Sequence, residues 1–404
     1  MRPRSDRTAV DVAVIGAGII GLSIAWRAVQ SGRSVRVIDP EPARGATFAA
    51  AGMLAPVGEY HYQEHDLLPL MLASAARYPE FVRELSPSGE PTGYVRNETL
   101  MVGVDHGDRQ ELADVHLAHR RWELEVEPMT TREARLREPL LGPQVTSAYR
   151  VCGDHQIDPR ILAARLLDEL ARSDAAEMVH EHVIGLVRGD AADPESRVVG
   201  VRLADGTTLA AGEVVVANGL GATAVEGLPD RLDLPLRPVF GDILRLRVPG
   251  TLRPLLTMTV RGRVHGKNVY LVPRTDGTLV VGATQREDGR PGISVGGVHD
   301  LLRDAQEIVP AVAELELIEA TARARPATPD NAPLLGRVGR DGGGDIPGLV
   351  VATGFFRHGV LLAPAAADIC LGLLEDRGDA RWDAFRPDRF SRPDAAATAG
   401  RTLR

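Results

Sequence analysis

Two arginines, a tyrosine and three closely spaced glycines are the residues of this chain whose types and settings could do chemistry. Arginine carries a permanent charge on a planar fork that matches a carboxylate. Arg325 precedes Pro326 in ARARPATPD and Arg357 sits in the turn GFFRHG, although by residue type alone either is an ordinary surface side chain. Tyr270 lies in VYLVPRTDGTLVVGATQ (269–285), two β-rich runs around Asp276-Gly277, which is a strong hairpin signal. A two-residue loop there sets Tyr270 opposite Ala283 and Asn268 opposite Gln285, and strand alternation puts Asn268, Tyr270, Val272, Ala283 and Gln285 on one face. A phenol and two amides beside a small residue would make a polar pocket wall. The same pattern also describes a surface hairpin whose polar face is merely solvated.

The glycines belong to VDVAVIGAGIIGLSIAWRAVQSGRSVRVID, running from Val10 to Asp39. Val10 to Ile15 is apolar except for Asp11, as expected of a central parallel strand buried on both faces. In the G-x-G-x-x-G that follows, Gly16 makes the tight turn, Gly18 lets backbone approach a pyrophosphate and Gly21 lets the helix pack on the strand. The helix predicted over Ile19 to Ser31 points its N-terminal N–H groups at that anion, and Gly32 ends it. A second strand from Ser34 to Ile38 delivers Asp39 to a ribose hydroxyl. Strand, turn, helix, strand and acid in this order read as a dinucleotide site rather than a plain βαβ turn. Asp39 favours a ribose without a 2′-phosphate and does not separate FAD from NAD.

Later segments bear on that choice. RGATFAAAGMLAP (44–56) is a run of small residues that either packs a helix closely or lays backbone against a flat ligand. EVVVANG (213–219) and GLVVATGFFRHGVLLAP (348–364) are apolar strands ending in glycine turns. Sheet strands therefore occur at the start, middle and end of the chain, unlike the continuous block of a simple NAD domain. His155 in GDHQIDPR is followed by Asp158-Pro159, an N-cap and first-turn proline, so it reads as structural rather than as a base.

Composition bounds the rest. With 404 residues, 44% hydrophobic and 25% charged, the chain is of globular type and long enough for two domains. No apolar run reaches the roughly 18 residues that span a bilayer, and MRPRSDRTA lacks an apolar stretch behind its arginines, so a short leader and cytoplasmic residence are expected. A net charge of −8 argues against a nucleic-acid partner. Cys152 and Cys370 have no metal-ligand spacing and are expected to be buried residues, with no metal site.

GAGIIG, AAAGMLAP, GDHQIDPR, VYLVPR, LVVGAT, RPATPDNAPLLG and GFFRHGVLLAP occur in the order in which similar segments stand in the glycine oxidases of thiamin biosynthesis. These are FAD-dependent enzymes of the D-amino-acid oxidase and sarcosine oxidase superfamily, and the resemblance extends from about Val10 to the late 380s. It implies an α/β plus α+β architecture: a discontinuous FAD-binding Rossmann-like domain with a parallel sheet (1–92, 151–220, 322–404), interleaved with an antiparallel-sheet substrate domain (93–150, 221–321). It also implies FAD as cofactor, a small amino acid and O2 as substrates, imine then glyoxylate and ammonia as products with H2O2, and a homo-oligomer, often a tetramer.

The family's carboxylate-binding arginine matches Arg325, and its pocket tyrosine matches Tyr270. Arg357 stands before the helix that points at the flavin, and Met53, Glu59, Asn268 and Gln285 fall at the pocket. Cofactor contacts are implied at Gly16, Gly18, Ile19, Ile20, Gly21, Asp39, Thr47, Ala50, Ala51, Gly52, Met53, Val183, Ala217, Asn218 and Gly219. Others are implied at Gly354, Arg357, His358, Gly359, Val360 and Leu361. Asn268, Gln285, Arg323-Ala324 and His358, the last in place of an asparagine, depart from the family pattern. The substrate could therefore be another small amino or imino acid such as sarcosine, proline or a D-amino acid, in primary or specialised metabolism. A non-catalytic flavin-binding sensor is the reading from another class.

Overall fold

The computed structural model describes residues 9–391; the expected leader lies outside them. Val10–Ile15 forms the expected strand, with Val12 to Ile15 buried. It pairs in parallel with Val35–Ile38 on one side and Thr208–Val216 on the other. Ala176–Val179 extends the sheet beyond the former, and Asp345–Thr353 beyond the latter. Leu334–Gly339 joins antiparallel to Asp345–Thr353. A hairpin of Val183–Arg188 and Val198–Leu203 leans on the start of Thr208–Val216. Strands far apart in sequence thus meet in one parallel sheet, as the scattered apolar runs require.

Helix Ile19–Gln30 packs between helices Pro159–Arg172 and Ala363–Leu374. Its approach depends on Gly21, where a Cβ would fall 1.9 Å from the carbonyl oxygen of Gly16, and Gly16 itself takes a φ of +101°. Asp158 caps Pro159–Arg172 through its side chain, as expected, with bonds to the N–H groups of Arg160 and Ile161 at 2.8 and 3.4 Å.

The second sheet has eight strands, in spatial order Glu316–Ala327, Arg237–Arg247, Thr278–Gly282, Lys267–Pro273, Thr259–Val264, Thr99–Gly103, Ser147–Val151 and Glu127–Met129. Its pairings are antiparallel except Thr259–Val264 with Thr99–Gly103. Helix Val295–Ile308 covers one face through Leu301, Ala305 and Ile308. The expected boundary at 321/322 falls inside Glu316–Ala327, which pairs with Arg237–Arg247 along its whole length. The α/β plus α+β class holds, with one mainly parallel and one mainly antiparallel sheet, and a small third sheet of Met53–Leu54, His155–Ile157 and Tyr94–Val95. Among the described residues no helix is long and apolar enough to cross a membrane.

The hairpin register differs from the two-residue-loop expectation. Tyr270 pairs with Gly282, Leu271 with Val281 and Val272 with Val280, so every pairing slips by one residue. A two-residue type I′ loop needs two successive positive φ values. Here Gly277 takes φ +85° and Asp276 does not. Instead Gly277 N–H bonds the Arg274 carbonyl at 3.1 Å and Arg274 N–H bonds the Thr278 carbonyl at 2.7 Å, giving a three-residue loop. Of the cysteines, Cys370 is buried, whereas Cys152 is only half-buried, near Glu127.

Candidate active site

One cavity of about 1080 Å³ runs between the two sheets, from the glycine turn at one end to the hairpin at the other. At the first end Gly16, Gly18, Ile19, Ile20, Asp39 and Thr47 line it. Gly18 has no side chain to cap the helix and no acid stands in the first turn, so beyond the first N–H the positive end of the helix stays open to an anion. Thr47 Oγ1 accepts from Ile19 N–H at 2.9 Å. The Asp39 carboxylate accepts from Ala17 N–H at 2.7 Å and Glu41 N–H at 2.8 Å. It therefore fastens the second strand to the glycine turn while remaining on the cavity wall.

The small-residue run becomes a short helix, Ala46–Ala49, followed by extended backbone that lines the middle of the cavity from Ala49 through Met53. Arg274 holds this backbone in place. Its guanidinium donates to the Ala51 carbonyl, to Gln156 Oε1 at 2.6 Å and to the Ile157 carbonyl at 3.2 Å. Burial pushes the Arg274 pKa down to about 10, against the charge of Asp158. No spacing signal marks this role, since an arginine at the end of an exposed-looking hairpin strand resembles many others. Opposite, Ala217, Asn218, Gly219, Gly354, Gly359 and Val360 complete the wall. Asn218 Oδ1 is buried without a hydrogen-bond partner.

At the far end Tyr270, Asn268, Gln285, Met53, Glu59 and Arg325 come together. Tyr270 is half-buried, with Asn268 and Gln285 exposed toward the rim. Ala283 and Gln285 reach the cavity despite the register slip because the strand ends at Gly282, after which Thr284 bonds to Asp242. Burial pushes the Tyr270 hydroxyl pKa up, opposed by Arg325 and Arg261 and reinforced by Glu59. Tyr270 is therefore a neutral hydrogen-bonding phenol.

Arg325 projects from Glu316–Ala327 over Gly241, where a Cβ would fall 2.4 Å from its guanidinium. Its one hydrogen bond is to the Thr284 carbonyl at 3.3 Å, and among the described residues no carboxylate pairs with it. Arg357 differs: its guanidinium is ion-paired with buried Glu64, which also accepts from Asn331 Nδ2 at 3.0 Å. Although burial would raise the Glu64 pKa, His358 and Arg357 hold it down to about 2. Arg261, unmarked in the sequence, pairs with Glu59 at 2.8 Å on the cavity wall.

Four expected cofactor contacts are not among the lining residues. Gly21 faces the turn behind the wall. Val183 starts a strand paired with Val198–Leu203 and packs into the core on the far side of the parallel sheet. Leu361 is core, and His358 is fully buried behind Glu59 and Glu64. His155 is likewise absent from the cavity and packs edge-on against Tyr94.

A profile of the family described as "DAO: FAD dependent oxidoreductase" matches residues 11–371. The bifunctional protein ThiO/ThiG of Synechocystis sp. is 34% identical over 392 residues, 95% of this chain and 54% of that protein. The chain thus spans about half the length of such bifunctional relatives. Glycine oxidase of Geobacillus kaustophilus is 30% identical over 376 residues, 90% of this chain and 93% of that protein. The crystal structure of glycine oxidase from Geobacillus kaustophilus superposes with a TM-score of 0.84 at 29% identity, covering 95% of this chain and 99% of that one.

Proposed function

The chain belongs to the family of FAD-dependent oxidoreductases, and from that premise we propose that it oxidises a small α-amino acid, glycine first among them. The product is an imine that hydrolyses to the oxo acid and ammonia or enters thiazole formation in thiamin synthesis. The observation that carries the substrate class is the unpaired guanidinium of Arg325, set in the same cavity as the open helix N-terminus. The residues present fit FAD: the glycine turn and Thr47 for phosphate, Asp39 for ribose, the backbone from Ala49 to Met53 for a flat ring, and the orphaned Asn218 Oδ1 for a polar edge. When bound, FAD accepts hydride and passes the electrons to oxygen, giving hydrogen peroxide.

In this reading Arg325 holds the substrate carboxylate with its fork. Tyr270 donates to the same carboxylate and closes the pocket, while Asn268 and Gln285 border the entrance. Fixing the carboxylate fixes the α-carbon, and positioning of this kind corresponds to effective molarities of about 10⁵ to 10⁸ M. Met53 and the alanines give the reacting carbon a largely dry surround. Arg357 serves structure more than substrate, since Glu64 neutralises it. The reading assigns 1–92, 151–220 and 322–404 to the cofactor and 93–150 and 221–321 to the substrate. The reading also takes the protein to be cytoplasmic and self-assembling, the latter from the family resemblance.

The test is anaerobic mixing of the purified, FAD-loaded protein with glycine, sarcosine, proline, D-alanine and ethylamine. Glycine should bleach the flavin fastest and ethylamine least. Faster bleaching by proline or a D-amino acid would reassign the substrate. Bleaching by none would leave a flavin-binding module and overturn the reading.

A further inference from the structure

His358 is fully buried, and neither ring nitrogen has a hydrogen-bond partner. Its Nδ1 lies 3.7 Å from Glu59 Oε2 and its Nε2 3.7 Å from Glu64 Oε2. A neutral imidazole has one N–H and one lone pair, whereas an ionised carboxylate only accepts. With both nitrogens facing carboxylates, one lone pair must point at a carboxylate oxygen. A single added proton converts that contact into a charge-assisted hydrogen bond.

The two sides are not equivalent. Glu64 is held ionised by Arg357 and Asn331 and is the natural acceptor of the one N–H. The vacant position is then Nδ1, facing Glu59. Glu59 lies on the cavity wall with its Oε1 taken by Arg261 at 2.8 Å, so its Oε2 stands on the His358 side. The charged groups around the ring are Glu59 and Glu64 from the loop after Leu54 and Arg357 from its own turn. Arg261 stands behind Glu59, and His61 feels the charges of Glu64 and Arg357. Burial, then Arg357, lowers the His358 pKa, and the two carboxylates oppose them. The ring is neutral at rest with a proton position open.

We propose that His358 is the proton-holding positioning residue of this site: acting through Glu59, its Nδ1 receives the proton that an amino-acid ammonium must lose before the α-carbon gives up hydride. The proposal rests on the amino-acid oxidase reading above. In the step an ammonium N–H bond breaks and an Nδ1–H bond forms, with Glu59 Oε2 carrying the proton between them. No electrons are transferred, and the amine becomes neutral. The imidazolium then lies between two carboxylates until the proton returns to solvent through the cavity. Arg325 fixes the carboxylate end of the substrate, and the Glu59–His358 pair serves its nitrogen end.

The test measures anaerobic flavin bleaching by glycine across about pH 6 to 10 in the FAD-loaded wild type, His358→Asn and Glu59→Gln. In His358→Asn the acid limb should move up to the ammonium pKa of free glycine. Bleaching at neutral pH should fall by about 10²-fold, within the usual range for general base catalysis, with the high-pH plateau retained. A second readout is ¹⁵N-histidine NMR of the oxidised, substrate-free holoenzyme, with the resonance assigned by its loss in His358→Asn. That imidazole should titrate at lower pH in Glu59→Gln than in the wild type. An unchanged acid limb in His358→Asn overturns the proposal, as does a His358 titration indifferent to Glu59→Gln. Should His358→Asn fail to hold FAD, His358→Gln takes its place, judged by the same limb. If no amino acid bleaches the wild type, the functional reading fails, whereas the NMR response to Glu59→Gln still reports the coupling of the two side chains.

Discussion

Arg325 and Arg357 carry the same charge in the same cavity, and their neighbours separate them. Glu64 neutralises Arg357, while Arg325 keeps an open fork over Gly241. Arg325→Ala should therefore lower kcat/KM by about 2 to 5 kcal/mol, the range for losing one partner of a buried charge pair, with FAD content unchanged. Arg325→Lys should recover only part of the loss, because a point charge does not reproduce a planar fork. Steady-state kinetics with glycine against ethylamine checks both, since the alanine variant should lose the preference for the carboxylate. A variant that keeps full preference would return the carboxylate to Arg357.

The segment from Ala46 to Met53 shows how an element serves the site with backbone rather than side chains. Gly52 has φ +71°, and a Cβ there would meet the Ile157 carbonyl oxygen at 1.9 Å and the Pro159 ring at 2.8 Å. Gly52→Ala should therefore destabilise by at least about 1 to 3 kcal/mol through strain and overpacking together, and should loosen FAD because the neighbouring backbone lines the cavity. Asp158→Ala, between Ile157 and Pro159 of the same contact, removes an N-cap, worth about 1 kcal/mol, and the 3.6 Å ion pair with Arg274. It should loosen FAD less than Gly52→Ala because Arg274 keeps its bonds to Ala51, Gln156 and Ile157. Denaturant midpoints and flavin retention on dialysis, compared between the two variants, test this ordering.

Across the whole molecule, buried Asp154 ties the strand His155–Ile157 to the loop that carries Glu59. Its carboxylate accepts from Val57 N–H at 3.2 Å and Gly58 N–H at 2.8 Å. Burial pushes its pKa up to about 7, although those two bonds and Arg261 oppose the shift. A folded-state pKa above the unfolded one means that the folded protein binds the proton more tightly. The stability Asp154 contributes is thus fully present below its ordinary value of 3.8 and is lost as pH rises through about 7. Glu64 and Glu319, both held down to about 2 from 4.5, act in the opposite sense and only below that ordinary value. Between about pH 4.5 and 7 the Asp154 contribution therefore falls with rising pH, while His119, lowered to about 4 by burial, adds stability as pH rises toward 6.5. Asp154→Asn should remove the Asp154 contribution, so the wild-type unfolding free energy minus that of the variant should fall with rising pH across this window, as measured by urea unfolding at a series of pH values.

Local pattern was sufficient for the strand, turn and helix from Val10 to Gln30, for the Asp158 cap, and for the strands in segments 213–219 and 348–364, which lie at Thr208–Val216 and Asp345–Thr353. In each, hydrophobic period and glycine placement act over a few residues, and the chain has little alternative. Motif order further marked Arg325 and Tyr270 as residues to watch. The hairpin register was not legible, because Asp-Gly serves a two-residue loop or a three-residue loop alike until Gly277 alone takes positive φ. Nor was the pairing of Arg357 with Glu64, of Arg261 with Glu59, or the placing of His358 between the two acids. Those partners lie from about 200 to 300 positions apart, and they meet only because the two sheets close on one cavity. Charge pairing is a property of distance in space. One-dimensional spacing shows which side chains are available, and packing settles which of them neutralise each other and which stay open to a substrate.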